Sequence, residues 1–219
     1  MSESVFCSWS GGKDCALALH EAVAAGAAPR LLATMMDETG SRSRSHGLRR
    51  SVLEAQAAAI GLPIRFASAT WATYEAQFTA LAARAADAGA SAGVFGDIDI
   101  EEHRRWEVRV CAAAGLSARL PLWRRDRAAL MGALLGAGFR AVIVAVRDDR
   151  LPAALLGRAI DAPTLGELER MGVDLAGENG EYHTLVVDGP IFRRPLDVVI
   201  GERSLRGGLW FADVVVGSA

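Results

Sequence analysis

Two short stretches of this chain carry reactive residue types at spacings that chemistry uses. The first is Ser10-Gly11-Gly12-Lys13-Asp14. Adjacent glycines let a backbone approach an anion closely, and the lysine adds a mobile positive charge. A helix starting here would aim its unpaired N–H groups and its dipole at the same anion. That is phosphate-binding chemistry, but not a Walker A loop. The glycine that motif needs falls on Cys7, and the Ser or Thr that would follow the lysine is Asp14. An aspartate beside phosphates is costly unless a metal lies between them or the side chain points away. Asp14 is therefore the candidate ligand for Mg2+.

The second stretch is Gly177-Glu178-Asn179-Gly180-Glu181-Tyr182-His183-Thr184. Two carboxylates, an imidazole and a hydroxyl lie close together, just before the apolar run Leu185-Val186-Val187. A surface turn accounts for Gly-Glu-Asn-Gly. It does not account for His183 and Thr184 leading directly into a strand.

The elements that must position these stretches follow from the apolar pattern. Apolar runs at 5–8 and 31–36 and further strand-like stretches at 64–67, 92–95 and 116–120 alternate with helical segments at 14–25, about 48–60 and 74–88 and a fourth running to about residue 114. The unbroken run at 31–36 is what a strand buried on both faces requires. Asp99-x-x-Glu102 has the form of a capping box for the fourth helix. This rhythm predicts an α/β fold: a parallel five-stranded sheet with helices on both faces. Ligands then bind at the carboxyl ends of the strands. The rhythm loosens after Pro121. Helical pieces at 125–135, 152–159 and 164–171 and strands at 141–146, 184–187, 198–200 and 209–216 predict a smaller α+β part. The expected division is residues 1–120 for nucleotide and 121–219 for substrate.

The first motif resembles the PP-loop of the ATP pyrophosphatases, the adenine-nucleotide alpha-hydrolases. There the loop holds the β- and γ-phosphates while the α-phosphate is attacked, giving AMP and pyrophosphate. That superfamily usually has Ser after the Asp, where this chain has Cys15, a weaker donor. The second motif resembles the Gly-Glu-x-Gly-Glu-(Phe/Tyr)-His-Thr signature of the diphthine–ammonia ligase family, a branch of the same superfamily. Gly96-Asp97-Ile98, Pro121-Leu122-Trp123 and Asp188-Gly189-Pro190 extend the resemblance over most of the chain. It implies an ATP-dependent ligase that activates a carboxylate as an acyl-adenylate and amidates it with ammonia. By that resemblance Ser10, Gly11, Gly12, Lys13, Asp14 and Cys15 hold ATP. Gly96 lets the nucleotide pass and Asp97 meets ribose or metal. His46 is a further nucleotide contact, in a loop whose arginines, Arg42, Arg44, Arg49 and Arg50, suit a lid over the triphosphate or a solvated surface. Glu178 and Glu181 would attract ammonium and help strip its proton, with His183 and Thr184 as catalytic companions. The acid is a protein side chain, diphthine, or a small acid such as a corrinoid. Diphthine belongs to archaea and eukaryotes, whereas an alanine-rich composition suits a GC-rich bacterium.

Composition sets the competing readings. Net charge is −2 over 219 residues, and each side of residue 120 carries 12 basic and 13 acidic groups. A nucleic-acid surface is therefore not expected, which counts against an RNA thiolase. A nucleotide sensor without turnover would have little use for the second motif. Of 24 basic residues only Lys13 is a lysine, as though an ammonium were required at that place. Cys7, Cys15 and Cys111 form no metal or disulfide pattern, which fits a reducing cytoplasm. Met1-Ser2-Glu3-Ser4 lacks a leader's basic region, no run suits a membrane, and a homo-oligomer is compatible with the composition. Glu101-Glu102-His103-Arg104-Arg105 reads as a charged helix face. Trp106 and Trp123 read as packing residues.

Overall fold

A computed structural model describes residues 2–217; Met1, part of the stretch inspected for a leader, lies outside them with Ser218 and Ala219. The first sheet contains β1 (Ser4–Ser8), β2 (Ala28–Met36), β3 (Ile64–Ser68), β4 (Ala92–Val94) and β5 (Ser117–Arg119). All pairs are parallel, in the order β3-β2-β1-β4-β5. The chain runs outward from β1 in one direction, then returns to place β4 on its other side. A crevice opens where the order reverses, at the carboxyl ends of β1 and β4. The residues after those two strands are Ser10–Asp14 and Gly96-Asp97, so the topology brings both to one place.

Helices α1 (Lys13–Ala24), α2 (Arg50–Ile60), α3 (Tyr74–Asp87) and α4 (Glu101–Ala113) link these strands. Gly61 ends α2 in the left-handed region, at φ 84°, where an added Cβ would also strike the Arg193 guanidinium. On one face Phe6, Phe78 and Phe95 meet at ring separations of 6.0–6.5 Å. All three are buried among Leu81, Val110 and Cys111, each ring worth about 1.5–3 kcal/mol of burial.

The remaining chain forms an antiparallel sheet of order β7-β6-β9-β8. Its strands are β6 (Arg140–Arg147), β7 (Tyr182–Asp188), β8 (Val198–Arg206) and β9 (Leu209–Val216), with α5 (Arg127–Gly136) and α6 (Ala162–Arg170) beside them. The other face of the first sheet packs here: Leu17, Leu53, Leu134, Val144, Leu185 and Val214 belong to one continuous core. Among the described residues no helix is long and apolar enough to cross a membrane.

Two local expectations fail for identifiable reasons. Asp99 does not cap α4, whose N-cap is Ile100 without a side-chain bond. Its carboxylate instead receives two hydrogen bonds from Arg127, both 2.8 Å. The helix expected at 152–159 shrinks to a single 3-10 turn, Ala153–Leu155. Gly157 turns at φ 86°, and the backbone of 157–160 then bonds Ile143 and Ala141 of β6 instead of itself.

Candidate active site

The turn after β1 is built by the protein around it. Gly11 sits at φ 85°, and a Cβ there would meet the Gln56 Oε1 at 2.9 Å and methyls of Leu48 and Leu53 at 3.0 Å. A Cβ on Gly12 would strike the His46 ring. Gly12 is the N-cap of α1 and has no side chain to cap it. Thr184 of β7 does so from the other sheet: Lys13 N–H donates to its Oγ1 at 3.0 Å. Val186 N–H donates to the Gly11 carbonyl at 2.9 Å. The fully buried Gln56 completes the tie, donating Nε2 to Gly11 O (3.0 Å) and Val186 O (2.6 Å) and accepting from Trp9 Nε1 (3.0 Å).

Within this turn Lys13 is 4% exposed and paired with Asp14 at 2.7 Å. Burial lowers the proton affinity of Lys13, but Asp14, Tyr182 and Glu178 together push it above the usual lysine value, so the ammonium stays charged. Ser10 Oγ accepts from Gly12 N–H at 3.3 Å and donates to Cys15 Sγ at 3.4 Å. Cys15 lies under the turn, and burial pushes its thiol upward, away from the reactive form. Gly96 serves a contact the sequence reading did not assign: its Cβ would meet Asp14 C and Cys15 N at 2.7 Å. Its smallness lets the β4 end sit on the first turn of α1.

The second motif forms a loop tied by its own acids. Asp174 accepts from Ala176 N–H (3.0 Å) and Glu178 N–H (2.8 Å) and pairs with Arg127 at 2.7 Å. Glu181 is buried and accepts from Asn179 N–H and Asn179 Nδ2, each at 3.1 Å. It is thus turned into the loop and does not line the cavity, contrary to the role expected for it. Glu178 does line it. Burial and the neighbouring Asp14 raise its pKa to about 7, within reach of general-base work at neutral pH.

His46 donates Nδ1–H to the Thr184 carbonyl at 2.8 Å and lies against His183 at 4.7 Å between ring centroids. Burial, with Lys13 adding to it, brings His46 down to about 4; burial, His46 and Lys13 bring His183 down to about 3. Both are neutral imidazoles and form a polar wall. Protonating either beside Lys13 would be unfavourable.

A cavity of about 280 Å³ gathers Ser10, Lys13, Asp14, Cys15, His46, Gly96, Asp97, Glu178, His183 and Thr184 from the expected set. Lys13 and Glu178 share it and influence each other's protonation; the motifs do not occupy separate ends. An adjoining recess of about 70 Å³ passes between Trp9, Thr34, Arg44 and Tyr74. The arginine loop, read as either a lid or a solvated surface, is anchored. Arg42 and Arg49 both pair with Asp213 of β9 (3.0 and 2.6 Å), and their hydrogen bonds hold that carboxyl at about 2. Arg44 lies over Trp71 at 4.6 Å, and Arg50 pairs with Glu54 on its own helix at 2.9 Å.

The family description "Diphthamide synthase N-terminal domain" matches residues 3–118, and "Diphthamide synthase C-terminal domain" matches residues 126–215. The chain belongs to the diphthamide synthase family. The chain is also similar to the diphthine–ammonia ligase of Danio rerio, 33% identical over 120 residues, or 52% of this chain and 47% of that one. The Homo sapiens diphthine–ammonia ligase is 31% identical over 120 residues, 52% of this chain and 45% of its own. The matched stretch thus spans about half the length of these relatives. A solved structure titled as a predicted subunit of tRNA methyltransferase, from Methanocaldococcus jannaschii, aligns over 89% of this chain and all of its own. At 15% identity and a TM-score of 0.44 it is a distant likeness.

In this diphthamide synthase family member the donor set fits a nucleotide. It has a helix N-terminus whose first N–H groups lack intrahelical acceptors, a charged buried lysine, and the buried Arg44 Nε without a partner beside the recess. For a metal, no cluster of three His, Cys, Asp or Glu side chains exists among the described residues. Asp14 alone suits Mg2+ shared with substrate phosphates, the usual way that ion is held.

The Gln56 tie yields a direct expectation. Gln56→Leu roughly keeps the volume but leaves the buried Trp9 N–H without its acceptor and takes one donor each from the Val186 carbonyl and from the Gly11 carbonyl, which keeps Val186 N–H. At about 1–3 kcal/mol for each buried group left unpaired, unfolding free energy should fall by about 2 kcal/mol in denaturant titration. Unchanged stability would show that Gln56 does not hold the two sheets together.

Proposed function

We propose that this chain is an ATP-dependent amide ligase that joins ammonia to a substrate carboxylate, with diphthine as the first acid to test. The observation that carries this reading is a single cavity holding a charged lysine at a helix N-terminus and a carboxyl group, Glu178, that ionises near neutral pH. The first serves triphosphate; the second serves an amine nucleophile. Family membership and the names of its relatives support the same reaction class.

Lys13 and the first turn of α1 hold the phosphates, and Asp14 would hold Mg2+, which would supply positive charge for the leaving pyrophosphate. The substrate carboxylate then attacks the α-phosphorus. In the second half, ammonia attacks the acyl carbon and AMP leaves, with Glu178 accepting a proton. His46 and His183, both neutral, place no further positive charge beside the phosphates. Thiol transfer gains no support, since all three cysteines are buried and burial raises each of their pKa values.

Labelled ATP settles the bond that breaks. With magnesium, ammonium and diphthine-bearing elongation factor, or small carboxylic acids in parallel, the products should be AMP and pyrophosphate. ADP and phosphate would overturn the reading.

A further inference from the structure

The charged run 101–105 splits into two kinds of residue. Glu101 pairs with Arg104 at 3.1 Å and Arg105 at 3.4 Å, a solvated face. His103, with its side chain 56% exposed, also lines the main cavity beside Glu178 and Asp14. Its Nδ1 lies 2.7 Å from Asp97 Oδ1. Donating Nδ1–H to that carboxylate fixes the tautomer and leaves the Nε2 lone pair free.

Asp97 has a second partner. Glu107 lies one turn along α4 from His103, on the same face, and is 2% exposed. Burial and contact with Asp97 raise its pKa to about 11, so it is a neutral acid. Its Oε2 is buried without an N–H or O–H donor. Two carboxyls in contact share one proton; here Glu107 keeps it and Asp97 keeps the charge, opposite His103. A helix face made only for solvent would have no reason to bury that acid.

Resting on the ligase reading, we propose that His103 is a catalytic residue of amide formation, the group that takes the first proton from incoming ammonium, with Asp97 and Glu107 as its positioning residues. The stoichiometry needs such a group. Acyl-adenylate and ammonium give amide, AMP and two protons as the C–N bond forms and the C–O bond to AMP breaks. His103 accepts one proton and Glu178 the other. The hydrogen bond to Asp97, and the charges of Asp97, Glu178 from the signature loop and Glu102 from its own helix, raise the affinity of His103 for protons. Lys13, Asp14, His46 and His183 line the same cavity.

The test compares two nucleophiles. Diphthine-bearing elongation factor and a set of small acids are screened for acid-dependent ATP–pyrophosphate exchange by the wild type, and the active acid is used throughout. His103→Gln should keep exchange and lose ~10²–10⁴-fold in ammonia-dependent AMP release. It should lose far less with hydroxylamine, whose nitrogen is largely unprotonated at neutral pH. In ¹⁵N NMR the His103 ring should carry its proton on Nδ1, and Asp97→Asn should lower its pKa. Normal ammonia turnover in His103→Gln, equal losses with both nucleophiles, or a ring protonated on Nε2 would each overturn the proposal. Wild-type protein without exchange for any acid would instead sink the ligase reading, and the proton role with it.

Discussion

Replacing Lys13 by alanine should lower ATP-dependent turnover by at least ~10²-fold, the scale of removing one oriented charge from a transition state, while the protein stays folded. The side chain is 5% exposed, yet its partner Asp14 is 33% exposed, so water takes over the ion pair when the ammonium goes. The bond from Lys13 N–H to Thr184 belongs to the backbone and survives the change. Lys13→Arg should fail almost as badly. The ammonium is enclosed between Asp14 at 2.7 Å and the Tyr182 ring at 5.6 Å, where a guanidinium is too wide. Calorimetric titration with ATP beside thermal unfolding separates binding from folding. Full activity in Lys13→Arg would show that the chain's single lysine is a product of codon usage and not of chemistry.

Glu178→Gln should separate the two halves of the reaction. ATP–pyrophosphate exchange depends on Lys13 and α1 and should persist. Amide formation should fall ~10²–10⁴-fold, as for loss of a general base. The pH profile gives the sign. Burial and Asp14 raise Glu178 to about 7, so the group is protonated and idle below that pH and ionised above it. Wild-type amidation should therefore climb as pH rises through about 7, and the glutamine variant should lose that limb. Glu181→Gln is the contrast. That side chain is bound to the backbone of its own loop, so its loss should appear as lower stability with no change in the profile. A Glu178→Gln variant with normal amidation, or one that loses ATP affinity as severely as turnover, would remove Glu178 from the second half-reaction.

The centre of the first sheet was readable because parallel strands buried on both faces leave apolar runs such as 31–36, and because the Ser10–Asp14 turn falls between one such strand and a helix. Signals with distant partners were not readable. Gln56 is an ordinary polar helical residue until Gly11 and Val186 arrive beside it. Asp99 has a capping-box spacing, but Arg127, far along the chain, takes its carboxylate. His103 was hidden among four charged neighbours that face solvent, although its spacing to Glu107 placed both on one side of α4. Glu181 was misread for the opposite reason: an acid in a reactive-looking motif can spend its lone pairs on its own loop.

The hydroxyl and N–H that β7 lends to the Ser10–Asp14 turn bear on how such a chain is inherited. A nucleotide-binding half exchanged for another partner would keep its sheet and its lysine, yet its loop would stand open, with Lys13 N–H lacking its acceptor and the Gly11 carbonyl left with Gln56 alone. A new partner would need a threonine at the right height on an edge strand and free backbone groups two residues further along. Such a seam resists recombination between lineages, so the halves are expected to descend together and to accept insertions elsewhere, at turns such as Gly207-Gly208 that no glycine contact constrains.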